Sequence, residues 1–277
     1  MSFIQIQIRC QPDFSDILIA ELAELGFDSF EENNQGFSGY ISESDMDFQA
    51  VKNLMEHYAN LTPLSYSLKK IARENWNQKW ESHYEPILVE DKVLIKAPFH
   101  PEQKGFKYVL NIVPKMSFGT GHHPTTSQMV AFLLRHPPKN QSVIDAGSGT
   151  GILAIMAEKL GAAKVLAFDN DPWCIENGQE NLQANECHKT QVLLASSLSE
   201  IPFAEANQVL ANINKNVILP ELKYYHKYLI VNGLLFLSGF YVEDIPNVDK
   251  AASDLGFTLL EQSAKDNWAC LLYKKIA

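Results

Sequence analysis

Two hydrophobic periods run through the first part of the chain. The stretch FIQIQIRC at 3–10 alternates every second residue, the mark of a half-buried strand, whereas DILIAELAEL at 16–25 repeats at three and four, as one face of a helix does. Gly26 ends that helix. Strand-like stretches at 27–32 and 36–42 flank the turn signal Asn33-Asn34-Gln35-Gly36, and an amphipathic helix near 48–58 leads to a last strand-like stretch at 64–71. The order βαββαβ predicts a ferredoxin-like α+β domain over residues 1–70. Residues 71–115 then mix a short helix-like stretch at 74–85 with strand-like stretches at 87–99 and 106–114, and are expected to connect two domains. Trp76 and Trp80 stand four apart on one face of that helix, a spacing read as packing.

From 116 to 277 the pattern is far more regular. Strand-like stretches at 142–147, 164–169, 191–196, 208–213 and 233–240 interleave with helix-like stretches at 152–161, 172–185, 217–229 and 242–256. Repeated βα units predict an α/β fold with a parallel sheet covered by helices on both faces. The chain closes on two strands, 257–264 and 268–275, with no helix between them. That terminal hairpin brings the sheet to seven strands and makes one of them antiparallel.

Composition narrows the function classes. Among 277 residues, 23 basic and 33 acidic side chains give a net charge of −10, which disfavours non-specific binding to nucleic acid or anionic lipid. A hydrophobic content of 46% and a mean hydropathy of −0.14 describe an ordinary globular protein. Most of the negative excess lies in residues 1–70, where eleven acidic residues face four basic ones, a net of −7. A solvated surface and a docking face for a basic partner both explain it. Cys10, Cys174, Cys187 and Cys270 form no CxxC pair, and neither a secretory leader nor a membrane span is evident, so a cytoplasmic protein is expected.

The candidate chemistry sits at strand ends. DAGSGTG at 145–151 leaves a predicted strand and opens a helix, where glycines allow a tight turn and close approach of a ligand to backbone N–H groups. A dinucleotide fingerprint requires glycine at 152, which is Ile152, so the D-x-G-x-G-x-G spacing instead resembles the first motif of S-adenosylmethionine-dependent methyltransferases. A purely structural glycine turn also accounts for it. Asp169 ends the next strand, where a carboxylate can accept from both hydroxyls of a ribose, and Asp171 is placed to cap the helix opening at Pro172. Asn212 falls at the carboxyl edge of the fourth strand, in the crevice where open α/β sheets bind ligands. Upstream, the loop 116–130 is rich in turn formers and hydroxyls. Thr125 and Thr126 there serve equally as helix caps or as ligand contacts. Adjacent His122 and His123 lack metal-ligand spacing, and no metal is expected.

Together the loop FGTGHHPTT at 118–126, the DAGSGTGILAI turn, the acidic strand end before Asn170-Asp171-Pro172 and the Ala211-Asn212-Ile213 segment resemble the PrmA family, methyltransferases of the eleventh protein of the large ribosomal subunit. The nine-residue loop is the most specific part. The likeness is strong from about 75 to 277 and rests on element order over 1–70. It implies a Rossmann-like methyltransferase domain over 116–277 and a substrate-recognition domain over 1–70. It also implies S-adenosylmethionine as cofactor, contacts through Thr126, Gly147, Asp169 and Asn212, and a catalytic role for Asn212. The partner it implies is that ribosomal protein, trimethylated on lysine side chains and its N-terminal amine. A monomer is expected, with no direct need of nucleic acid and no membrane.

The expected reaction is in-line attack of a neutral amine on a sulfonium methyl. Asn212 is not followed by the Pro-Pro-Tyr of nucleobase and glutamine N-methyltransferases, which argues against a flipped base or planar amide as acceptor. Three other readings stay open. The chain methylates another protein or a small amine, or it is a nicotinamide oxidoreductase, which Ile152 and the closing hairpin disfavour, or it binds the cofactor without catalysis.

Overall fold

A computed structural model describes residues 3–33, 35–71, 84–115, 119, 121–201 and 205–276. The helix expected at 74–85, with Trp76 and Trp80, falls almost wholly outside the described residues, as do Phe118 and Thr120 of the loop. The chain divides into two compact units, 1–83 and 84–277.

In the first unit, β1 (Phe3–Arg9), α1 (Pro12–Glu24), β2 (Ser29–Asn33), β3 (Gly36–Ser42), α2 (Phe48–Ala59) and β4 (Ser65–Ile71) follow the expected order. The sheet runs β2-β3-β1-β4 with every pair antiparallel, which is the ferredoxin-like arrangement. The period-two run of β1 puts Ile4, Ile6 and Ile8 on one face, against Leu18 and Leu22 of α1 and Val51 and Met55 of α2. Pro12 opens α1, and Asp47 caps α2 by accepting from the N–H groups of Gln49 and Ala50 at 2.9 and 3.0 Å.

The second unit opens with a small sheet of β5 (Ile87–Val89), β6 (Val93–Lys96) and β7 (Tyr108–Asn111). The stretch 87–99, expected as a single strand, is a hairpin instead. Glu90 and Asp91 both take positive φ, 48° and 51°, and fold β6 back on β5. Next come α3 (Pro124–Arg135), β8 (Ser142–Ala146), α4 (Ile152–Lys159), β9 (Lys164–Asp169), α5 (Pro172–Ala184) and β10 (Thr190–Leu194). They are followed by β11 (Ala206–Asn212), α6 (Lys215–Tyr228), β12 (Leu229–Tyr241), α7 (Ile245–Asp254), β13 (Phe257–Lys265) and β14 (Trp268–Lys275). The large sheet runs β10-β9-β8-β11-β12-β14-β13. Its β14 is antiparallel to both neighbours, as the closing hairpin implies.

Both faces of this sheet are buried, so its strands read as near-continuous apolar runs. Alternate residues serve alternate cores. Val143, Val165, Leu210 and Phe236 pack with α3 and α4 on one side, while Ile144, Leu166, Val209 and Leu235 pack with α6 and α7 on the other. A row of asparagines at every fourth position of α5 ties the small sheet to this body. Asn185 bonds both the N–H and the carbonyl of Asn111, at 2.9 and 2.7 Å, and Asn181 accepts from Val113 N at 2.8 Å. Asn181 Nδ2 also donates to the Thr150 carbonyl at 2.9 Å, so the same ladder steadies the glycine turn.

Candidate active site

Strand order decides where chemistry can collect. The helices that follow the adjacent strands β8 and β11 pack on opposite faces of the sheet, and the crevice opens at the carboxyl ends of those strands. A cavity of about 430 Å³ lies there, running from Asp169 and Asn170 at the end of β9, past Gly147 and Asn212, to Gly239 and Trp268. A smaller one of about 150 Å³ adjoins it, lined by Phe168, Ala195, Ser196 and Tyr225 and sharing Gly147, Asp169, Asn170 and Ile213.

At the β9 end the polar groups are held by backbone. Gly147 N and Ser148 N both donate to the Phe168 carbonyl, at 2.9 and 3.0 Å, fixing the glycine turn to the end of β9. Asp169 accepts from Gly149 N through Oδ2 at 2.9 Å and from Asp171 N through Oδ1 at 3.1 Å. Each oxygen keeps capacity for a further donor. Asp171 caps α5 by accepting from Trp173 N at 2.9 Å, as expected.

Beneath the turn, Asp145 is fully buried. Its Oδ2 accepts from Ala154 N at 3.0 Å, while Oδ1 has no partner. Burial pushes its pKa up to about 7; the bond from Ala154 pulls the other way, and the Asp169 charge adds a smaller push.

At the β11 end the arrangement changes. Asn212 is buried, with Nδ2 3.4 Å from Thr126 Oγ1 and Oδ1 unpartnered. Thr126 has no exposed surface and stands behind Asn212 in the first turn of α3. That helix is capped by His123, correcting the expectation that Thr125 or Thr126 does so. The His123 Nδ1 accepts from Thr125 N at 3.4 Å and faces Thr125 Oγ1 at 2.8 Å. Burial holds the His123 pKa below the usual imidazole value. Its neighbour His122 turns elsewhere, with Nε2 3.0 Å from the Glu85 carbonyl. Among the described residues no group of three or more His, Cys, Asp or Glu is placed to hold a metal ion.

Two glycines lock the backbone after Asn212. Gly147 takes φ +70°, and a Cβ there would sit 2.2 Å from Ile213 Cγ2. Gly239 takes φ +95° at a bulge in β12, where a Cβ would sit 2.3 Å from the Ile213 carbonyl oxygen. Asn214 then caps α6 by accepting from Asn216 N at 2.9 Å. Beyond Gly239 the wall is aromatic. The Trp268 ring lies 4.5 Å from His123, edge to face, and 4.2 Å from Tyr241.

Of the predicted site residues, Gly147, Asp169 and Asn212 line one cavity, and Thr126 supports it from behind. Sequence reasoning missed Gly239 and Trp268. The signal for the first was a glycine inside the strand LLFLSGFY, which marks a bulge. For Trp268 the signal was its place straight after the Asp266-Asn267 turn, both residues at positive φ, at the start of the one antiparallel strand of the large sheet, which leads away from the crevice.

The chain matches the ribosomal protein L11 methyltransferase (PrmA) family over residues 9–276. It is 43% identical to the ribosomal protein L11 methyltransferase of Porphyromonas gingivalis over 93% of this chain and 90% of that protein. With the one of Chlorobaculum tepidum it shares 32% identity over 97% and 95%. Its structure is similar to that of a ribosomal protein L11 methylase from Lactobacillus delbrueckii subsp. bulgaricus, with a TM-score of 0.66 and 26% identity over 70% of this chain and all of that one. A methyltransferase from Pyrococcus furiosus shares the fold, with a TM-score of 0.53 over 61% of this chain. The match spans both units and nearly the whole length of these relatives, and the chain belongs to the ribosomal protein L11 methyltransferase family.

Proposed function

We propose that this protein transfers methyl groups from S-adenosylmethionine to lysine side-chain and N-terminal amines of the eleventh protein of the large ribosomal subunit, as far as trimethylation. The observation that carries the reading is the family match across both units, because the large sheet alone is common to methyltransferases of many substrates. We read the acting species as a cytoplasmic monomer that needs no nucleic acid, in keeping with the net charge of −10. No helix among the described residues is long and apolar enough to cross a membrane. Residues 1–70 act as the substrate-recognition domain and 116–277 as the methyltransferase domain. The acidic excess of the former suits capture of a basic ribosomal protein.

The cavity suits the cofactor. Asp169 has spare acceptor capacity for a vicinal diol, the smaller cavity offers Phe168 and Ala195 as apolar walls for a base, and the glycine turn admits close approach of a main chain. When bound, the cofactor supplies an electrophilic methyl on a sulfonium. Asp169 holds the ribose, Gly147 keeps the floor open, and Thr126 contributes by holding Asn212 in place. Asn212 Oδ1, lacking any other partner, accepts an N–H of the incoming amine and aims its lone pair. A lysine amine has an ordinary pKa of ~10.4 and must shed a proton first. Walls of Ile213, His123 and Trp268 desolvate the ammonium and favour its neutral form, the proton passing to water.

The test is to incubate the purified protein with radiolabelled S-adenosylmethionine and ribosomal proteins, then analyse the labelled band by mass spectrometry. Three-methyl increments on the eleventh large-subunit protein are expected. Cofactor binding with label on a different protein, or on none, overturns the substrate assignment.

A further inference from the structure

We propose that Trp268, braced by Tyr241, is the specificity residue that carries the acceptor amine through its later methylations, taking over the orienting role that Asn212 plays in the first. The inference rests on the amine-methylating function proposed above.

Geometry puts Trp268 at the acceptor end. Along the sheet, β9 with Asp169 stands four strands from β14 with Trp268, and Gly147 and Asn212 lie between. With the ribose at Asp169, an amine beside Asn212 has the Trp268 ring as its outer wall. Both the ring and the main chain of Trp268 are held, the ring by Tyr241 and His123. Tyr241 and Trp268 are direct cross-strand partners, which sets their ring centroids 4.2 Å apart at a tilt of 35°. Gln128 Nε2 of α3 donates to the Trp268 carbonyl at 3.1 Å, and Ser263 Oγ fixes Gln128 Oε1 at 2.7 Å. The Tyr241 end is anchored in turn by Asp244, which accepts from Tyr241 N at 3.3 Å and pairs with Lys215.

The chemistry of the amine explains why such a wall is needed. In each transfer the nitrogen lone pair forms the new C–N bond, the C–S bond breaks and its electron pair stays on sulfur. After the first and second transfers the alkylated ammonium loses a proton to water before it attacks again. A neutral primary amine offers two N–H groups to Asn212 Oδ1 and a monomethyl amine offers one. A dimethyl amine offers none, so hydrogen bonding at Asn212 cannot orient the last attack. Methyl groups against an indole face can be oriented by contact, and the quaternary ammonium that forms is attracted by the ring's negative face. His123 is a weak opponent of this, because burial lowers its pKa and its Nδ1 accepts from Thr125 N, both of which disfavour the imidazolium.

Trp268→Leu, Trp268→Phe and Tyr241→Leu, assayed on the purified eleventh large-subunit protein, test the proposal by the distribution of one-, two- and three-methyl products in intact mass spectra. In Trp268→Leu the third transfer is expected to slow by about tenfold relative to the first, so that mono- and dimethyl species accumulate. Trp268→Phe keeps an aromatic face and restores most of the trimethyl product. Tyr241→Leu, altered at a side chain 42% exposed, shifts the distribution the same way by less, and keeps the test open if Trp268→Leu fails to fold. An unaltered product distribution in Trp268→Leu, or in Tyr241→Leu if the former does not fold, overturns the proposal while leaving the methyltransferase reading intact. Wild-type protein that modifies no ribosomal protein sinks that reading itself.

Discussion

The two ends of the cavity are built on opposite principles. At the β9 end, each oxygen of Asp169 is held by a backbone N–H, and the glycine turn is bonded to the Phe168 carbonyl. At the β11 end, Asn212 Oδ1 has no partner, and the walls are Ile213, His123 and Trp268. The first end is preorganised for a polar ligand with fixed hydroxyls. The second presents one open acceptor in apolar surroundings, which suits a group that must arrive charged and react neutral. On the proposed reading, cofactor and acceptor are told apart by how the protein spends its own hydrogen bonds.

Gly239→Val should break the acceptor end most severely. A side chain there meets the Ile213 carbonyl oxygen and demands a φ that valine avoids, so a loss of about 2–4 kcal/mol and no measurable methyl transfer are expected. A thermal melt and transfer rate at wild-type values would show that the bulge does not position Asn212. Asn212→Ala removes the open acceptor itself and should slow transfer by about a hundredfold in a protein that melts normally. A slowing of only twofold would assign the orientation of the amine to another group.

Asp169→Ala tests the other end. Losing a charged acceptor of ribose hydroxyls is worth about 1.5–3 kcal/mol, so cofactor affinity by calorimetry should fall roughly ten- to a hundredfold. Affinity unchanged from wild type removes its ribose role. The smallest effect is expected from Asp145. Because its folded pKa of about 7 stands above the ordinary 3.8, folding takes up a proton between those values, and its ionised form costs stability as pH rises through that window. A cationic cofactor seated on the turn favours the ionised carboxylate, so binding should release a proton and tighten by up to about tenfold from pH 6 to 8. Asp145→Asn should flatten that slope, measured in buffers of different ionisation enthalpy. A slope that survives the substitution belongs to another group.

How legible each end was in the sequence follows from the same contrast. DAGSGTG, Asp169 and Asn212 could be placed because each follows directly from a strand that the apolar runs identify, and parallel strands deliver their carboxyl ends to one crevice. Trp268 stands at the crevice as the first residue of an antiparallel strand, whose register against β12 is shifted by the bulge at Gly239. No local pattern around Trp268 encodes that register. His123 was passed over as a cap because hydroxyl and carboxamide side chains usually fill that position, and two threonines stood beside it. The hairpin at 87–96 was hidden because Glu90 and Asp91 adopt positive φ without the asparagine or glycine that normally signals such a turn. The asparagine ladder of α5 reads in sequence as a polar helix face; only the strand beside it shows that Asn181 and Asn185 replace a missing β-neighbour.

The polarity of the cavity is tested most directly by a crystal structure of the protein with S-adenosylhomocysteine. The account predicts ribose hydroxyls within hydrogen-bonding distance of both Asp169 oxygens and the sulfur directed toward Asn212, with the space beside Trp268 left open. An adenosine seated between Asn212 and Trp268, with Asp169 free, would contradict it.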